Sequence, residues 1–383
     1  MRVKLGDICT IQSGGTPSRS NKDYWDNGTI PWVKISDFSG KYLDYTSEKI
    51  TQAGLDGSSA KVFSKGTILY TIFATLGETC ILDIEAATNQ AIAGLKLNDE
   101  SVLLDYLYYY LLSKKDYVNE IGRGVAQNNI NMKILRDMEI DIPSQEKQLK
   151  ITNVLNQAAN LVSLRKEQIS KLDQLVKSRF LEVFGDPIVN PYHWDVATIG
   201  DIVTDVRYGT SKPAVDGGKY PYLRMNNLTY DGHLDLSDIK YIDIPDNEIE
   251  KCIVRKGDIL FNRTNSIELV GKTCVFDLDD EMVIAGYIIR VRLNEKLLPI
   301  VLSSYMNSGV LKEQLRCMAK GAVNQANINA QELQGIKIYL PPMALQNQFA
   351  AFVEQIDKSK FELKQSLEKL ETLKKSLMQQ YFG

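Results

Sequence analysis

The stretch that decides the fold is residues 346–383, with the sequence QNQFAAFVEQIDKSKFELKQSLEKLETLKKSLMQQYFG. It contains no proline and no glycine before its last residue, and Leu, Lys, Glu and Gln, which are good helix formers, dominate it. Hydrophobic residues that recur at intervals of seven lie on one stripe of a helix. Here that series is Ile356, Leu363, Leu370 and Leu377. The pattern predicts one long helix that packs along this stripe.

A similar stretch occurs in mid-chain, at residues 148–185. A shift of 198 positions aligns Gln148 with Gln346 and Phe184 with Phe382. Each helix would be roughly 55–60 Å long, which is more than one globular core can bury. We therefore predict that the two helices pack on each other, antiparallel if a twofold axis relates the repeats. The corresponding stripe of the first helix is Leu155, Val162, Ile169 and Val176.

The segments ahead of the two helices also repeat. LGDI at residues 5–8 corresponds to IGDI at 199–202, and QNNIN at 127–131 corresponds to QANIN at 325–329. Runs rich in β-branched and aromatic residues predict strands, and a Tyr-rich run with helical spacing predicts a helix. In the first segment we predict strands at 30–38, 66–72, 80–84, 91–97 and 135–142, and a helix at 105–117.

These patterns predict an α+β protein in which two pseudo-symmetric α/β domains are joined by two long antiparallel coiled-coil helices. A duplicated unit of this size indicates a two-part molecule rather than a solenoid. The expected segments are a first globular domain at 1–143, a first long helix at 144–185, a second globular domain at 186–341 and a second long helix at 342–383.

Composition excludes several function classes. With 383 residues, 44% of them hydrophobic and 24% charged, the chain has the make-up of a globular protein of two or three domains. The five cysteines are scattered and only two histidines, His193 and His233, are present, so we expect neither disulfides nor a metal site. The sequence begins without an apolar leader and has no membrane-length apolar run, which predicts a cytoplasmic protein without a membrane partner.

Enzyme motifs are represented only by near misses. GKT at 271–273 lacks the Gly-rich run of a phosphate-binding loop, and NPY at 190–192 lacks the second proline of an amino-methyltransferase box. A histidine-based triad is improbable with two histidines. A net charge of −3 does not suggest a free-standing nucleic-acid binder, although a basic patch can lie on one face. We therefore expect a binding protein without catalytic residues.

Taken together, the doubled motifs resemble the specificity subunit of type I restriction–modification systems. The features that carry the resemblance are the two QxNI loops, each followed by a strand that ends in proline, a glutamine at a helix start and a long helix that ends in Phe-Gly. The openings LGD and IGD fit as well, whereas Ser144 departs from the second proline that Pro342 keeps. The resemblance covers the whole chain.

The resemblance implies that each globular segment is a target recognition domain for one half of a bipartite, asymmetric site on double-stranded DNA. The long helices would set the spacing between the half-sites and dock two modification (methyltransferase) subunits, and restriction (translocase/endonuclease) subunits would join the full complex. No cofactor is expected on this chain. S-adenosylmethionine, ATP and Mg²⁺ are expected on the partner subunits.

Polar and basic residues on loops at strand ends are the candidate DNA contacts, because Arg pairs with guanine, Asn pairs with adenine and Lys holds phosphate. Each of them could equally be a solvated loop residue or a strand-end cap. We expect the QxNI loops to cap the base of the long helix or to contact a partner, and the 106–110 tyrosines to be core rather than base-stacking residues. The candidates are Thr16, Lys34, Ser36, Asp37 and Arg123 in the first domain, and Arg207, Tyr208, Thr210, Lys212, Arg224, Asn226, Asn227, Arg263 and Asn265 in the second.

Two alternatives stay open from the sequence. One is an adaptor whose helices bind proteins and whose globular segments bind no DNA. The other is a self-contained methyltransferase or nuclease, which the missing cofactor loop disfavours. Salt-dependent, sequence-specific DNA binding would distinguish the first alternative from a specificity subunit.

Overall fold

The computed structural model of the protein describes residues 1–122, 129–322 and 325–383. The chain forms two compact units, of which unit 1 comprises Met1–Lys166 with Gln365–Gly383 and unit 2 comprises Glu167–Lys364. Each unit therefore contains one globular segment, the first part of the long helix that follows it, and the last part of the other long helix. Among the described residues, no helix is both long and apolar enough to cross a membrane.

Unit 1 is built on two main sheets. Its strands are β1 Arg2–Lys4, β2 Cys9–Ser13, β3 Ile30–Val33, β4 Tyr42–Leu43, β5 Glu48–Ile50, β6 Val62–Phe63, β7 Ile68–Thr71, β8 Thr79–Leu82, β9 Ala86–Thr88, β10 Ile92–Leu97 and β11 Glu139–Asp141. One sheet has the order β2-β10-β7-β8-β4 and the other the order β5-β3-β9-β6, while β1 pairs with β11. The predicted strands at 66–72, 80–84 and 91–97 correspond to β7, β8 and β10.

The short helices of unit 1 correct two predictions. They are α1 Leu5–Ile8, α2 Gln52–Asp56, α3 Leu104–Ser113, α4 Lys115–Gly122 and α5 Met132–Asp137. The helix predicted at 105–117 is divided at Lys114 into α3 and α4. The strand predicted at 135–142 is wrong in its first half, because the side chain of Asn131 accepts hydrogen bonds from the N–H groups of Lys133 and Ile134, both at 2.9 Å, and caps α5.

The first long helix is α6, Gln145–Phe184. It ends where the sequence predicts a stop, because Gly185 has φ +78° and its N–H donates to the carbonyl of Leu181. A Cβ at Gly185 would lie 2.4 Å from Cγ of Pro191, so a side chain has no room there. Glycine is therefore required for the turn into the second globular segment.

Unit 2 repeats the plan of unit 1. Its strands are β12 Asp195–Thr198, β13 Val203–Tyr208, β14 Tyr220–Leu223, β15 Lys240–Ile242, β16 Ile253–Val254, β17 Ile259–Asn262, β18 Thr264–Asn265, β19 Thr273–Val275, β20 Met282–Ile284, β21 Ile288–Leu293, β22 Lys320–Ala322, β23 Gln325–Asn327 and β24 Lys337–Leu340. Its helices are α7 Asp246–Cys252, α8 Pro299–Met306, α9 Gly309–Met318 and α10 Ala330–Gln334, and the second long helix is α11 Met343–Phe382.

The strand orders show the duplication directly. The sheet β13-β21-β17-β19 matches β2-β10-β7-β8, the sheet β15-β14-β20-β16 matches β5-β3-β9-β6, and the pair β12-β24 matches β1-β11. Unit 2 also contains a three-stranded sheet, β18-β23-β22. The fold is thus the expected α+β arrangement with two similar domains and two long helices.

Within each unit the two long helices run antiparallel. In unit 1, Lys166 on α6 pairs with Glu371 on α11 at 2.8 Å, and Leu155 shares a core with Phe382. In unit 2, Asp173 on α6 pairs with Lys360 on α11, and the rings of Phe184 and Phe349 are 5.3 Å apart. Residue numbers therefore rise along one helix as they fall along the other. The predicted stripe residues are all buried or half-buried.

Equivalent glutamines fasten each long helix to its own domain. The Gln148 amide donates to the carbonyls of Ser101 and Pro143 and accepts from the N–H of Leu103, at 2.8–2.9 Å. The Gln346 amide makes the same three kinds of bond, to Lys296, Pro341 and Leu298, at 2.8–3.0 Å. Both side chains are fully buried. The sequence repeat at an offset of 198 thus corresponds to a repeated tertiary contact.

The tyrosines at 106–110 are core residues, as expected. Their exposed fractions lie between 1% and 7%, which leaves no ring free for stacking on a base. The hydroxyl groups of Tyr106 and Tyr110 donate to the carbonyls of Asp141 and Glu139 in β11. This helix therefore anchors the last strand of unit 1 rather than forming a surface.

Candidate nucleic-acid interface

Each domain has a 3-10 turn directly after strand β3 or its counterpart β14, at residues 35–37 and 225–227. In unit 1 the N–H of Lys34 donates to the carboxylate of Asp37 at 2.8 Å, and in unit 2 the N–H of Arg224 donates to the amide oxygen of Asn227 at 2.8 Å. Asn227 is 2% exposed, and its amide nitrogen donates to the carbonyl of Asp235. The structure thus gives Asp37 and Asn227 the same capping role.

A glycine loop lies against the strand that precedes this turn in both domains. The indole N–H of Trp32 donates to the carbonyl of Gly15 at 3.1 Å, and the hydroxyl of Tyr222 donates to the carbonyls of Thr210 and Lys212. A Cβ on Gly209 would lie 2.1 Å from the carbonyl oxygen of Ile284, so this loop requires glycine. The aromatic residue of β3 or β14 therefore fixes the loop that carries Thr16 or Thr210.

In unit 1 the loop and the turn share one carboxylate. Glu48, on β5, forms ion pairs with Arg19 at 2.6 Å and with Lys34 at 2.7 Å. Burial alone would raise the pKa of Glu48, but Lys34 and Arg19 outweigh it and hold that pKa below its ordinary value. Glu48 is therefore ionised at neutral pH, and it joins the loop to the turn.

Arg19 also stacks on two tryptophans. Its guanidinium carbon lies 3.7 Å from the ring centroid of Trp25 and 4.9 Å from that of Trp32. The two indole rings meet edge to face at 5.0 Å, and the N–H of Trp25 donates to the carbonyl of Ser18 at 3.1 Å. About half of the Arg19 side chain (52%) is nevertheless exposed. The arrangement leaves an ordered guanidinium group at the surface.

Unit 2 keeps a positive charge at the position of Lys34 and differs in charge at the position of Glu48. Arg224, which corresponds to Lys34, pairs with Asp238 at 2.7 Å rather than with a residue of the neighbouring strand. Tyr222 is in register with Lys240, just as Trp32 is in register with Glu48. A positive residue thus replaces the carboxylate that organises unit 1. On the glycine loop, Lys212 pairs with Glu248 at 2.8 Å.

A second group of candidates lies along β13 and the segment after β17. Arg207 pairs with Asp205 at 2.9 Å, and the guanidinium carbon of Arg263 lies 4.9 Å from the ring centroid of Tyr208. The hydroxyl of Tyr208 accepts a hydrogen bond from the N–H of Ala330. The side chain of Asn265 donates to Asn262 and accepts from the N–H of Ser266. Of these candidates, Arg263 and Tyr208 contact each other, while Arg207 and Asn265 are bonded to residues that are not candidates.

The candidates differ in how freely they could contact a ligand. Ser36 and Asn226 are exposed on the two turns, and Thr16 is half-buried with its hydroxyl bonded to Gln90. Asn227 is corrected from a candidate base contact to a buried cap, because both ends of its amide are bonded inside the domain. Arg123 lies outside the described residues, as do the first two residues of the first QxNI loop.

In the described part of the chain, the asparagine that follows each QxNI loop caps a short helix rather than a long one. Ile130 and Ile328 are fully buried, and Asn131 and Asn329 cap the short helices α5 and α10. The expectation that these loops cap the base of the long helix is therefore wrong, because one short helix and one strand intervene. Contact with a partner stays a prediction.

Sequence reasoning missed the Arg19 cluster and the buried lysine Lys312. The two tryptophans of the cluster are visible in the sequence, but their orientation is not. Lys312 is 4% exposed on α9, where its ammonium group donates to the carbonyl of Gly271 at 3.0 Å and lies 4.9 Å from the ring centroid of Tyr230. Burial, together with the positive charge of nearby Lys272, lowers the pKa of Lys312 to about 8.

Unit 2 also has an open cavity of about 980 Å³ between α6, α11 and the globular segment. At its wall, Lys360 donates to Asp173 and lies 3.0 Å from Nε2 of His233. Asp173, Asp231 and His233 could together supply three metal ligands, although the ammonium group of Lys360 already lies against two of them. Burial would raise the pKa of Asp173, but hydrogen bonds from His233 and Lys360 lower it to about 2. This cluster links the two helices within unit 2.

Comparison with known proteins agrees with the duplicated plan. The family model for the type I restriction modification DNA specificity domain matches twice, at residues 1–174 and 191–375. A crystal structure of a type I restriction–modification system S subunit from M. genitalium has a TM-score of 0.54 at 16% identity, and the match covers 100% of this chain and 96% of that one. The two chains therefore share a fold.

Relatives found by sequence comparison are named as specificity subunits of type I restriction enzymes. The chain is 29% identical over 259 residues to the type I restriction enzyme MjaIX specificity subunit of Methanocaldococcus jannaschii, covering 61% of this chain and 59% of the relative. It is 32% identical over 196 residues to the putative MjaX specificity subunit of the same organism, covering 50% and 46%. The chain thus spans about half the length of these relatives. Because the family model matches most of the sequence in two successive copies, the chain belongs to the type I restriction–modification DNA specificity family.

Proposed function

We propose that this protein is a non-catalytic, sequence-specific DNA-binding subunit of a type I restriction–modification complex. Each globular segment, 1–143 and 186–341, is a target recognition domain for one half of a bipartite, asymmetric site. The long helices, 144–185 and 342–383, set the spacing and dock two methyltransferase subunits in the cytoplasm. Restriction subunits join the full complex. S-adenosylmethionine, ATP and Mg²⁺ act on the partner subunits.

One observation carries this proposal: the two domains have the same frame but different side chains at the same surface positions. Lys34 and Glu48 in unit 1 correspond to Arg224 and Lys240 in unit 2. A duplicated scaffold with unlike groups at matched loop positions suits recognition of two unlike base sequences. If the two surfaces bound the same ligand, we would expect the same charges at these positions.

The ion pairs of the candidate residues are compatible with DNA binding. The paired basic side chains Arg207, Lys212 and Arg224 are between 29% and 58% exposed. Exposed ion pairs contribute only about 0–1 kcal/mol, so these cations can exchange their carboxylates for phosphates at small cost. The proposed contacts are Thr16, Lys34, Ser36, Asp37, Arg123, Arg207, Tyr208, Thr210, Lys212, Arg224, Asn226, Arg263 and Asn265.

The long helices carry apolar side chains that neither unit covers. Such side chains on helices that already bury one stripe favour docking of further helices or another protein surface. We propose that the methyltransferase subunits cover them, while the predicted stripe residues hold the helix pair together. The exposed residues are Leu149, Val154, Leu161, Leu164, Leu175, Leu181, Met343, Phe361 and Leu373.

The test is methylome sequencing of a host that carries this gene and its methyltransferase partner. We expect one asymmetric motif in two parts separated by a fixed gap. Replacing residues 1–143 with those of another family member should change one part only. Binding of the purified complex to that motif should weaken steeply with salt.

A host without any bipartite motif, although the complex assembles, would contradict DNA recognition and favour an adaptor. A domain exchange that altered both parts of the motif would contradict the assignment of one half-site to each domain. A purified chain that methylated or cut DNA without its partners would contradict the non-catalytic role.

A further inference from the structure

The glycine loop of unit 1 is ordered by its two tryptophans before any ligand arrives. One indole N–H binds the carbonyl of Gly15 and the other binds the carbonyl of Ser18, so the loop backbone is held on both sides of Thr16. Loop ordering of this kind is normally an entropic cost of binding. In unit 1 this loop is already ordered in the folded domain, so a ligand does not have to order it on binding.

Arg19 is the side chain that this loop presents. Its guanidinium plane lies on Trp25, and one terminal nitrogen pairs with Glu48. A guanidinium group has five N–H donors, and a single ion pair leaves others free in a half-exposed side chain. A planar, oriented fork of donors matches the O6 and N7 acceptors of guanine in the major groove.

The neighbouring carboxylate favours a base contact over a phosphate contact. Glu48 lies 2.6 Å from Arg19 and 2.7 Å from Lys34, and it is held in its ionised form. A phosphate placed on Arg19 would therefore approach a negative charge at close range. The edge of a guanine is neutral, so it can bind the remaining donors without that repulsion.

We propose that Arg19 recognises a guanine in the half-site of the first domain, and that Trp25 and Glu48 position its guanidinium group. The inference rests on the proposed function and names one specificity-determining residue within it. The domain of unit 2 cannot use the same arrangement, because Lys240 occupies the position of Glu48 and would repel an arginine. The effect is therefore confined to one half of the motif.

The experiment compares methylomes of hosts that carry wild-type chain, Arg19→Met or Arg19→Lys, each with the methyltransferase partner. Methionine keeps an unbranched cover on Trp25 without the donors, and lysine keeps the charge without the planar fork. We expect both variants to lose discrimination at one base of one half of the motif, by about tenfold or more in relative methylation rate. Lys22→Met, which removes an exposed charge three positions along the chain, is the matched control and should leave the motif unchanged.

Positioning by Glu48 gives a separate signature. Glu48→Gln removes a negative charge near the DNA, so affinity of the complex for unrelated DNA should rise while preference for the guanine falls. A merely structural role for this carboxylate would instead lower the thermal stability and change both halves of the motif or neither.

Four outcomes decide the proposal. Relaxation at one guanine in Arg19→Met and Arg19→Lys supports it. An unchanged motif in both variants overturns it. A uniform loss of affinity across all sequences, with a smaller salt dependence, assigns Arg19 to a phosphate and also overturns it. If the wild-type chain itself gives no bipartite motif, the proposed function fails, and that result is distinct from an unchanged motif in the variants.

Discussion

The two units share the side-chain hydrogen bonds that fix their helices, but they differ in charge at an equivalent position of the loop surface. Gln148 and Gln346 make the same three hydrogen bonds, and Asn131 and Asn329 cap equivalent helices. By contrast, the carboxylate of Glu48 in unit 1 is replaced by the ammonium of Lys240 in unit 2. Duplication has thus kept the contacts that define the fold and left the loop surface free to change.

The largest loss of stability is expected from substitutions of the phenylalanines at the ends of the long helices. Phe184 is fully buried against Phe180 and Phe349, whereas Phe382 is 8% exposed in the last turn of its helix. We expect Phe184→Ala to destabilise unit 2 by about 3–5 kcal/mol and Phe382→Ala to destabilise unit 1 by about 2–3 kcal/mol. Hydrogen exchange with mass spectrometry on the full chain measures both units separately.

Phe352→Ala, on a half-buried phenylalanine of α11, serves as the control and should cost less than either. Equal loss of protection in both units from a single variant would show that the phenylalanine does not belong to one unit's core.

Gln148 and Gln346 make equivalent hydrogen bonds, and substituting each of them tests whether these bonds also contribute equally to the free energy of unfolding. Gln148→Met and Gln346→Met keep the volume but leave one buried N–H and two buried carbonyls unpaired. We expect each variant to lose about 2–4 kcal/mol of unfolding free energy in its own unit, with the two values within about 1 kcal/mol of each other. Urea denaturation with hydrogen exchange measures this. A large effect in one repeat alone would mean that the shared geometry does not reflect shared stability.

A buried lysine distinguishes unit 2. Burial lowers the pKa of Lys312 from its ordinary value of 10.5 to about 8. Protonation of this amine therefore destabilises the folded state relative to the unfolded chain. The unfolded chain binds more protons between these two values, and this term therefore adds stability as pH rises through that window. We expect Lys312→Met to stabilise unit 2 by about 1–3 kcal/mol at pH 7, with the gain shrinking as the pH rises above about 8 and vanishing only above the ordinary lysine pKa of 10.5.

The measurement is the difference in unfolding free energy between variant and wild type at pH 7, 8, 9 and 10. Lys358→Met, which alters an exposed lysine on α11, should show no such trend. A pH-independent difference for the Lys312 variant would mean that its amine is charged throughout this range in the folded state.

The smallest expected effect is at the helix caps. Asn131→Ala and Asn329→Ala each remove a side chain that accepts two backbone N–H bonds. We expect a loss of about 1 kcal/mol in each unit, and Asn→Asp at either position should restore most of it because Asp caps equally well. Thermal unfolding of the four variants tests this. A failure of Asp to rescue would point to a role for the amide nitrogen instead.

The elements that sequence reasoning located are those with local causes. Seven-residue stripes gave both long helices, and Gly185 gave the end of the first, because helix periodicity and a positive φ depend on neighbouring residues only. The division of the helix at Lys114 and the short helix after Asn131 were missed, since each depends on packing or on a cap that competes with strand propensity. Residue propensities alone could not decide between one helix and two at 105–117, or between helix and strand after Asn131.

The candidate interface was less accessible to prediction. Polar loop residues after strands were found, but Asn227 was misjudged because burial of a polar cap is a tertiary property. The Arg19 cluster joins a loop, a 3-10 turn and a neighbouring strand, so its ion pairs and ring contacts exist only once the sheet has formed. Lys312 looks like any surface lysine until α9 packs.

The exchange of helix ends between the units has a consequence for how the protein is made. The core of unit 1 includes Met378 and Phe382, which are synthesised about 200 residues after Lys166. At usual translation speeds the ribosome needs about 10–40 s to cover that interval. During this time part of the hydrophobic surface of the first domain stays uncovered, so unit 1 begins before unit 2 and is completed after it. A chain that stopped at Lys364 would accordingly contain all of unit 2 and have its defect in the domain that is made first.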